Sequence, residues 1–310
     1  MNSIGQIFRL TTFGESHGVA VGGVIEGCPS GLKIDRQFIA EELARRATGS
    51  TSSASQRKEA DEVEFLSGLL DDVTLGTPIA FIVRNTDARS EDYASLKDTF
   101  RPSHADYTYQ AKYGIRDWRG GGRASARTML PYVVAGSIAK QLLAQQGIMV
   151  NAKVWSIGGE KDPDKIKTLL EQCRAEGDTV GGIVCGSIIG LPAGLGEPLD
   201  DKFQACLAKA MFTIPAVKGF EYGDGFAMAA MKGSEANDQM VINEDSSVTF
   251  LTNHSGGIQG GITNGEEVFF NVAFKPIPTL GRGDRHDVCA LPRAAVIVEA
   301  MAALTAIRFL

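Results

Sequence analysis

The stretch IFRLTTFGESHGVAVGGVI, residues 7–25, decides the fold. Two β-prone segments, 7–13 and 19–25, flank a short polar turn. A second pair of strand-like segments, 63–66 and 78–83, repeats the plan. Strands that arrive in consecutive pairs predict antiparallel sheets with helices packed on them, an α+β layered fold, over a doubly wound parallel sheet. Further strands are expected at 148–155, 182–189, 220–231 and 267–274, and helices at 36–47, 130–146, 164–175, 200–210 and 292–309. Pro131 suits a first helical turn far better than a helix interior. No G-x-G-x-x-G follows an expected strand, so a dinucleotide crevice of that type is not expected. No linker, charge block or low-complexity tract divides the chain, and residues 1–310 are expected to form one domain.

Composition narrows the class. The chain has 310 residues, 44% hydrophobic and 22% charged, with a net charge of −6, an ordinary soluble balance that argues against a nucleic-acid surface. No apolar run approaches the length of a membrane span, and the N-terminus lacks the basic, apolar and cleavage regions of a secretory leader. Five scattered cysteines, Cys28, Cys173, Cys185, Cys206 and Cys289, form no C-x-x-C pair. Reduced thiols in a cytoplasmic protein without a metal site are therefore expected.

Against that acidic background, residues 101–127, RPSHADYTYQAKYGIRDWRGGGRASAR, concentrate positive charge. Six Lys or Arg face only two acids, Asp106 and Asp117, among four aromatics and three consecutive glycines, Gly120 to Gly122. Guanidinium forks suit phosphate and carboxylate, and a glycine run lets backbone approach a ligand. An anion site is the expectation.

The four histidines, His17, His104, His254 and His286, all lie in polar, Gly-rich or charged contexts. His17 in FGESHG and His104 in RPSHAD also have Ser, Glu, Asp or Arg nearby, which fits proton transfer or stabilisation of a departing phosphate. Residues 14–18 read literally as G-x-S-x-G. A hydrolase elbow needs a helix after the serine, and VAVGGVIEG is β-prone, so a hydrolase using Ser16 is a distant alternative. A non-catalytic RNA- or anion-binding module using WRGGGRASAR with Tyr107, Tyr109 and Tyr113 is another. On residues alone, Gly256 to Gly261 is a tight turn or a ligand loop, and Lys275 a surface lysine or an anion ligand. Arg45, Arg46, Arg57 and Lys58 are a solvated face or an anion cluster.

Taken together, FGESHG, RPSHADYTY with GGGRASAR, PAVKGFEYGDGF, GSEAND, NHSGGIQGGITNG, FKPIPTL and RHDVC resemble the chorismate synthase family, in its order and over nearly the whole chain. The resemblance implies a β-α-β sandwich with helices between antiparallel sheets, assembled as a homotetramer. It implies loss of phosphate and a ring hydrogen from 5-enolpyruvylshikimate 3-phosphate, an anti 1,4-elimination that needs reduced FMN (FMNH2) with no net redox change. Carried over by position, His104 assists the leaving phosphate, His17 donates a proton towards the flavin, and Asp287 joins Ser16 in a proton relay. Arg46, Ser52 and Arg127 match substrate- or NADP-binding positions. Arg123, Ala124, Ser125, Pro215, Ala216, Gly260, Lys275, Pro276, Ile277, Pro278, Thr279 and Arg285 match FMN positions.

The chain departs from the pattern at several points. Thr128 stands where the family has Glu, Ala47 where it has a third Arg, Pro215 where Asn precedes the Ala, and Asp284 where Gly precedes Arg285. The flavin is reduced either by NADPH on this protein or by an outside source, and Ser52 in place of a basic residue leans slightly towards the outside source. The chain is also short near 158–162 and 280–284, where relatives carry longer excursions: either these loops are trimmed here, or segments are missing from the sequence as read.

Overall fold

The computed structural model describes residues 2–47, 61–86, 97–281 and 287–310. Its first sheet contains β1 (Ser3–Ile4), β2 (Arg9–Phe13), β3 (Ala20–Glu26), β4 (Val63–Phe65) and β7 (Ile79–Arg84), in the order β1-β2-β3-β7-β4. Every neighbouring pair is antiparallel, and Leu10 stands opposite Ile25 in the β2–β3 pair read from the sequence. Helix α1 (Arg36–Ala47) precedes β4, and the small hairpin of β5 (Leu69–Leu70) and β6 (Val73–Thr74) follows it. One face of the sheet is buried. Ile79, Phe81 and Val83 alternate inward along β7, as a half-covered strand requires.

The second half begins with α2 (Asp106–Tyr113) and α3 (Leu130–Ala144), then β8 (Met149–Ile157), α4 (Pro163–Glu176), β9 (Gly182–Ile189), α5 (Phe203–Thr213) and β10 (Val217–Tyr222). After α6 (Gly233–Ala236) come two small hairpins, β11 (Met240–Ile242) with β12 (Val248–Phe250) and β13 (Ile258–Gln259) with β14 (Ile262–Thr263). Strand β15 (Val268–Phe274) and helix α7 (Leu291–Ala306) close the chain. The second sheet is β10-β15-β9-β8, again antiparallel throughout. Val268, Phe270, Val272 and Phe274 point inward from β15, and the Phe270 ring fills the space a side chain on Gly186 would need.

Helix α3 covers the first sheet, α5 and α7 cover the second, and α1 and α3 pack on each other and on α7 between them. The fold is the layered α+β sandwich expected. Both middle helices are buried on nearly every side, so their apolar character extends all round. Each has proline in its first turn, Pro131 and Pro292, where a missing N–H costs nothing. At their crossing Gly136 faces Ala300 so closely that an added Cβ would lie 2.6 Å from the Ala300 Cα.

One polar cluster interrupts this layer. Glu299 of α7 accepts from Arg45 Nη2 (2.7 Å), Lys140 Nζ (2.7 Å) and the Ala152 N–H on β8 (3.1 Å). Glu42 accepts from Arg45 (2.5 Å) and Lys140 (2.8 Å). Burial alone would raise the Glu299 carboxyl, but these two cations hold it below its usual range.

The sequence reading needs one correction. The strand expected over 220–231 ends at Tyr222, because Gly223 and Gly225 turn the chain at φ 58° and 51° and a 3₁₀ stretch, Gly225–Ala230, follows. All five cysteines are free thiols. Among the described residues no helix is long and apolar enough to cross a membrane.

Candidate active site

Both site histidines rest on the glycine run. The FGESHG loop joins β2 to β3, and its Gly18 N–H donates to the Glu15 carbonyl (3.1 Å), closing a turn that carries Ser16 and His17. Ser16 is fully buried, with Oγ 3.1 Å from His17 Nδ1. A Cβ on Gly120 would overlap the His17 imidazole, and one on Gly121 would lie 3.1 Å from His104 Cε1. Gly120, Gly121 and Gly122 all take positive φ (60°, 89°, 53°), a run that L side chains resist. The same three glycines therefore shape the backbone and make room for both imidazoles.

His104 is held from one side. Its Nδ1 lies 2.9 Å from Asp106 Oδ1, and a carboxylate can only accept, so the proton sits on Nδ1. Arg101 Nη2, 3.1 Å from the same nitrogen, is then a neighbour rather than a donor to it. Arg101 grips both Asp106 oxygens (2.8 and 3.0 Å) and adds its backbone N–H (3.1 Å). Burial would raise the Asp106 carboxyl, yet these bonds and the imidazole keep it well below the usual carboxylate range. Burial and then the Arg101 charge push the His104 imidazole down, against the opposing pull of Asp106.

The arginines form a connected set. Arg123 donates to Thr12 Oγ1 (2.7 Å), the Gly14 carbonyl (3.0 Å) and Asn2 Oδ1 (3.3 Å), which docks it on the FGESHG loop. Ala124 lies in the short 3₁₀ turn Gly122–Ala124, and Ser125 Oγ accepts the Arg127 N–H at 3.4 Å. Arg127 donates to Asn85 Oδ1, Asp61 Oδ1 (3.1 Å) and the Arg84 carbonyl (3.2 Å). Arg46, at the end of α1, binds the other Asp61 oxygen at 2.5 Å, while its Nε is buried with no hydrogen-bond partner. Burial lowers the Arg46 guanidinium despite Asp61, and Arg127 and Arg293 add to that. In place of the family Glu, Thr128 turns its hydroxyl back to the Ser125 carbonyl (2.7 Å).

The second sheet contributes the other wall. Lys275, just past β15, donates its N–H to the Ala216 carbonyl (2.9 Å) and its Nζ to the Ser103 carbonyl (2.8 Å), next to His104. Pro215 and the left-handed Ala216 (φ 70°) lead into β10 beside it. From there Pro276, Ile277, Pro278 and Thr279 run on, with Thr179 Oγ1 donating to the Ile277 carbonyl (2.8 Å). Asp287 pairs with Arg293 on the first turn of α7 (3.3 Å).

Gly260 does not join this group within the chain. It tips the β13–β14 hairpin, where the Gly261 carbonyl accepts from Phe203 N at the start of α5, whereas Pro215 follows that helix's end. Eleven helical residues put these ends roughly 16 Å apart. Ser52 and Arg285, with His286, lie outside the described residues. The hydrolase elbow is absent: strand β3, not a helix, follows the G-x-S-x-G residues, and Ser16 is buried rather than presented.

Three residues given no site role from the sequence hold the candidate residues in place. Asp106 stands two positions after His104, a local signal that was there to be read. Asp61 and Asn85 meet Arg127 and the FGESHG loop from 66 and 70 residues away, which no local pattern carries.

A family model described as chorismate synthase matches residues 8–310. The chorismate synthase of Porphyromonas gingivalis is 50% identical over 346 aligned positions, covering 98% of this chain and 94% of that one. That of Christiangramia forsetii is 51% identical over 343, covering 98% and 95%. Both alignments are longer than the 310-residue chain, so these relatives carry segments absent here. A solved structure titled "Crystal Structure of Chorismate Synthase" matches with a TM-score of 0.82 at 30% identity, covering 98% of this chain and 92% of that one.

Proposed function

This chain belongs to the chorismate synthase family, and from that premise we propose how its own residues serve the family reaction. The enzyme is a lyase that converts 5-enolpyruvylshikimate 3-phosphate to chorismate, the last step of the shikimate pathway. Two carboxylates and a phosphate enter together, so the protein must offer cations already in place. The observation that carries the assignment is the seating of His17 and His104 on consecutive glycines beside Arg123.

The residues present fit a flavin as well. The three glycines are taken up by the two imidazoles, so the fit rests on the donor set: Arg123, docked on the FGESHG loop, and Lys275, beside Ser103, are cations suited to an anionic reduced flavin or its phosphate. Arg123, Ala124, Ser125, Pro215, Ala216 and the run Lys275 to Thr279 would hold FMN. Held there in its reduced form, FMN would supply transient electron donation to the C–O bond that breaks, with no net redox change.

His104 serves the phosphate. With Asp106 fixing Nδ1, Nε2 is the atom turned to the leaving oxygen. The imidazole is kept uncharged by burial and Arg101 until a phosphate dianion arrives, and that negative charge raises its proton affinity. His17 hands on a proton at the flavin side, backed by Ser16 Oγ at 3.1 Å, and Asp287 with Ser16 takes up the ring proton. The proposed assembly is a homotetramer, which would cover the apolar side chains that the β11–β12 hairpin exposes, Met240, Val241, Ile242 and Val248.

The test is anaerobic. Protein, photoreduced FMN and 5-enolpyruvylshikimate 3-phosphate should yield chorismate and phosphate in equal amounts with the flavin still reduced. Phosphate without chorismate, or no product at all, would remove this reading.

A further inference from the structure

We infer that Asn85 is a positioning residue for His17, acting through the turn that carries the imidazole. Asn85 directly follows β7, and its backbone N–H extends the ladder to β3 by donating to the Val19 carbonyl (3.0 Å). Its side chain leaves the sheet and spans the FGESHG loop. Nδ2 donates to the Glu15 carbonyl (3.1 Å) and the Gly18 carbonyl (2.8 Å), and Oδ1 accepts from Arg127 Nε. Those partners fix the amide's orientation. Turned over, it would set an oxygen against two carbonyls and an NH2 against a guanidinium.

Glu15 and Gly18 are the two ends of the turn Glu15-Ser16-His17-Gly18. One side chain therefore clasps both ends, while Arg127, braced by Asp61 and the Arg84 carbonyl, holds the clasp from behind. Asn85 bonds the backbone carbonyls at both ends of the turn, so its effect on chemistry is through placement. Misplacing a reacting group by about 1 Å costs on the order of 100-fold in rate. The inference rests on the reading above in which His17 takes part in the reaction.

Asn85→Asp is the test. The carboxylate still accepts from Arg127 but faces two carbonyl oxygens, so the turn loosens while shape is kept. Turnover should fall roughly 10- to 100-fold, with KM for 5-enolpyruvylshikimate 3-phosphate within about twofold of the parent. The chain has only four histidines, so ring resonances in ¹⁵N-histidine protein can be followed singly. The His17 signals should shift or broaden and those of His254 should not. Should Asn85→Asp fail to fold, Asn85→Ser, too short to reach both carbonyls, is expected to give the same pattern. An unchanged kcat with an unmoved His17 spectrum overturns the inference, as does a raised KM at constant kcat. Failure of the functional reading looks different: the parent protein makes no chorismate, while the His17 spectrum still reports on Asn85.

Discussion

The imidazole of His17 occupies the place where a side chain on Gly120 would have to go, whereas His104 stands a contact distance from the equivalent point on Gly121. The two neighbouring glycines should thus respond unequally to one added carbon.

Gly120→Ala should expel His17 and cost more turnover than Gly121→Ala, where the neighbour needs to give only a few tenths of an ångström. Both backbones carry positive φ, so each variant should also lose about 1–2 kcal/mol of stability. Urea melts and steady-state rates separate the two effects. Equal losses of kcat in two equally stable variants would contradict this account.

His104→Ala should abolish most turnover while leaving FMN affinity near that of the parent, since the role proposed for it is at the phosphate. Asp106→Asn should lower the proton affinity of His104 further, because Asp106 is the group that raises it. Because His104 serves the leaving phosphate in its protonated form, the alkaline limb of the pH–rate profile should move to lower pH, read from kcat/KM in the folded variant.

The titrations of His104 and His254 move in opposite directions. His104 should titrate below the ordinary 6.5, through burial and Arg101, and His254 above it, through its hydrogen bond to Asp224. The unfolded chain binds a proton more readily than buried His104 does. Its contribution to stability is therefore full above pH 6.5 and is lost as pH falls through the folded value. A ¹⁵N titration with His254 below His104 would refute the ordering.

Asp61 is the shared carboxylate of Arg46 and Arg127, and its side chain is only 3% exposed. Asp61→Asn removes the carboxylate that two buried guanidiniums share and should cost about 3–5 kcal/mol. Added sulfate or phosphate should restore more stability to this variant than to the parent, measured by thermal melting in matched ionic strength.

Glu299 lies in the helix layer among Arg45 and Lys140, and its depressed carboxyl has a defined pH signature. Its stabilisation is present above the unfolded value of 4.5 and fades as pH falls below it. Glu299→Gln should flatten the acid side of the stability profile without moving the pH–rate curve.

Regular elements with a clear period were legible in the sequence. Helix α1 and strand β9 have the bounds their patterns imply, 36–47 and 182–189. Helix α2 was not, because its aromatics and cations read as ligand chemistry and only one of its residues, Asp106, is buried. The end of β10 was missed for a different reason: two glycines with positive φ stop a strand whose apolar composition continues. At the site, His17 and His104 announced themselves by their polar neighbours. The roles of Asn85 and Asp61 exist only once β7 and the start of β4 are brought beside the first loop, so folding itself supplies that information.

The close crossing of Gly136 and Ala300 reaches beyond the helices that make it. The loop between two strands of one sheet carries His17, the end of a strand in the other carries Lys275, and α3 and α7 are the layer between the sheets. A single methyl at Gly136 would act as a shim, and since packed interiors yield little, it would move one sheet against the other and shift the side chains each brings to the site without altering any of them.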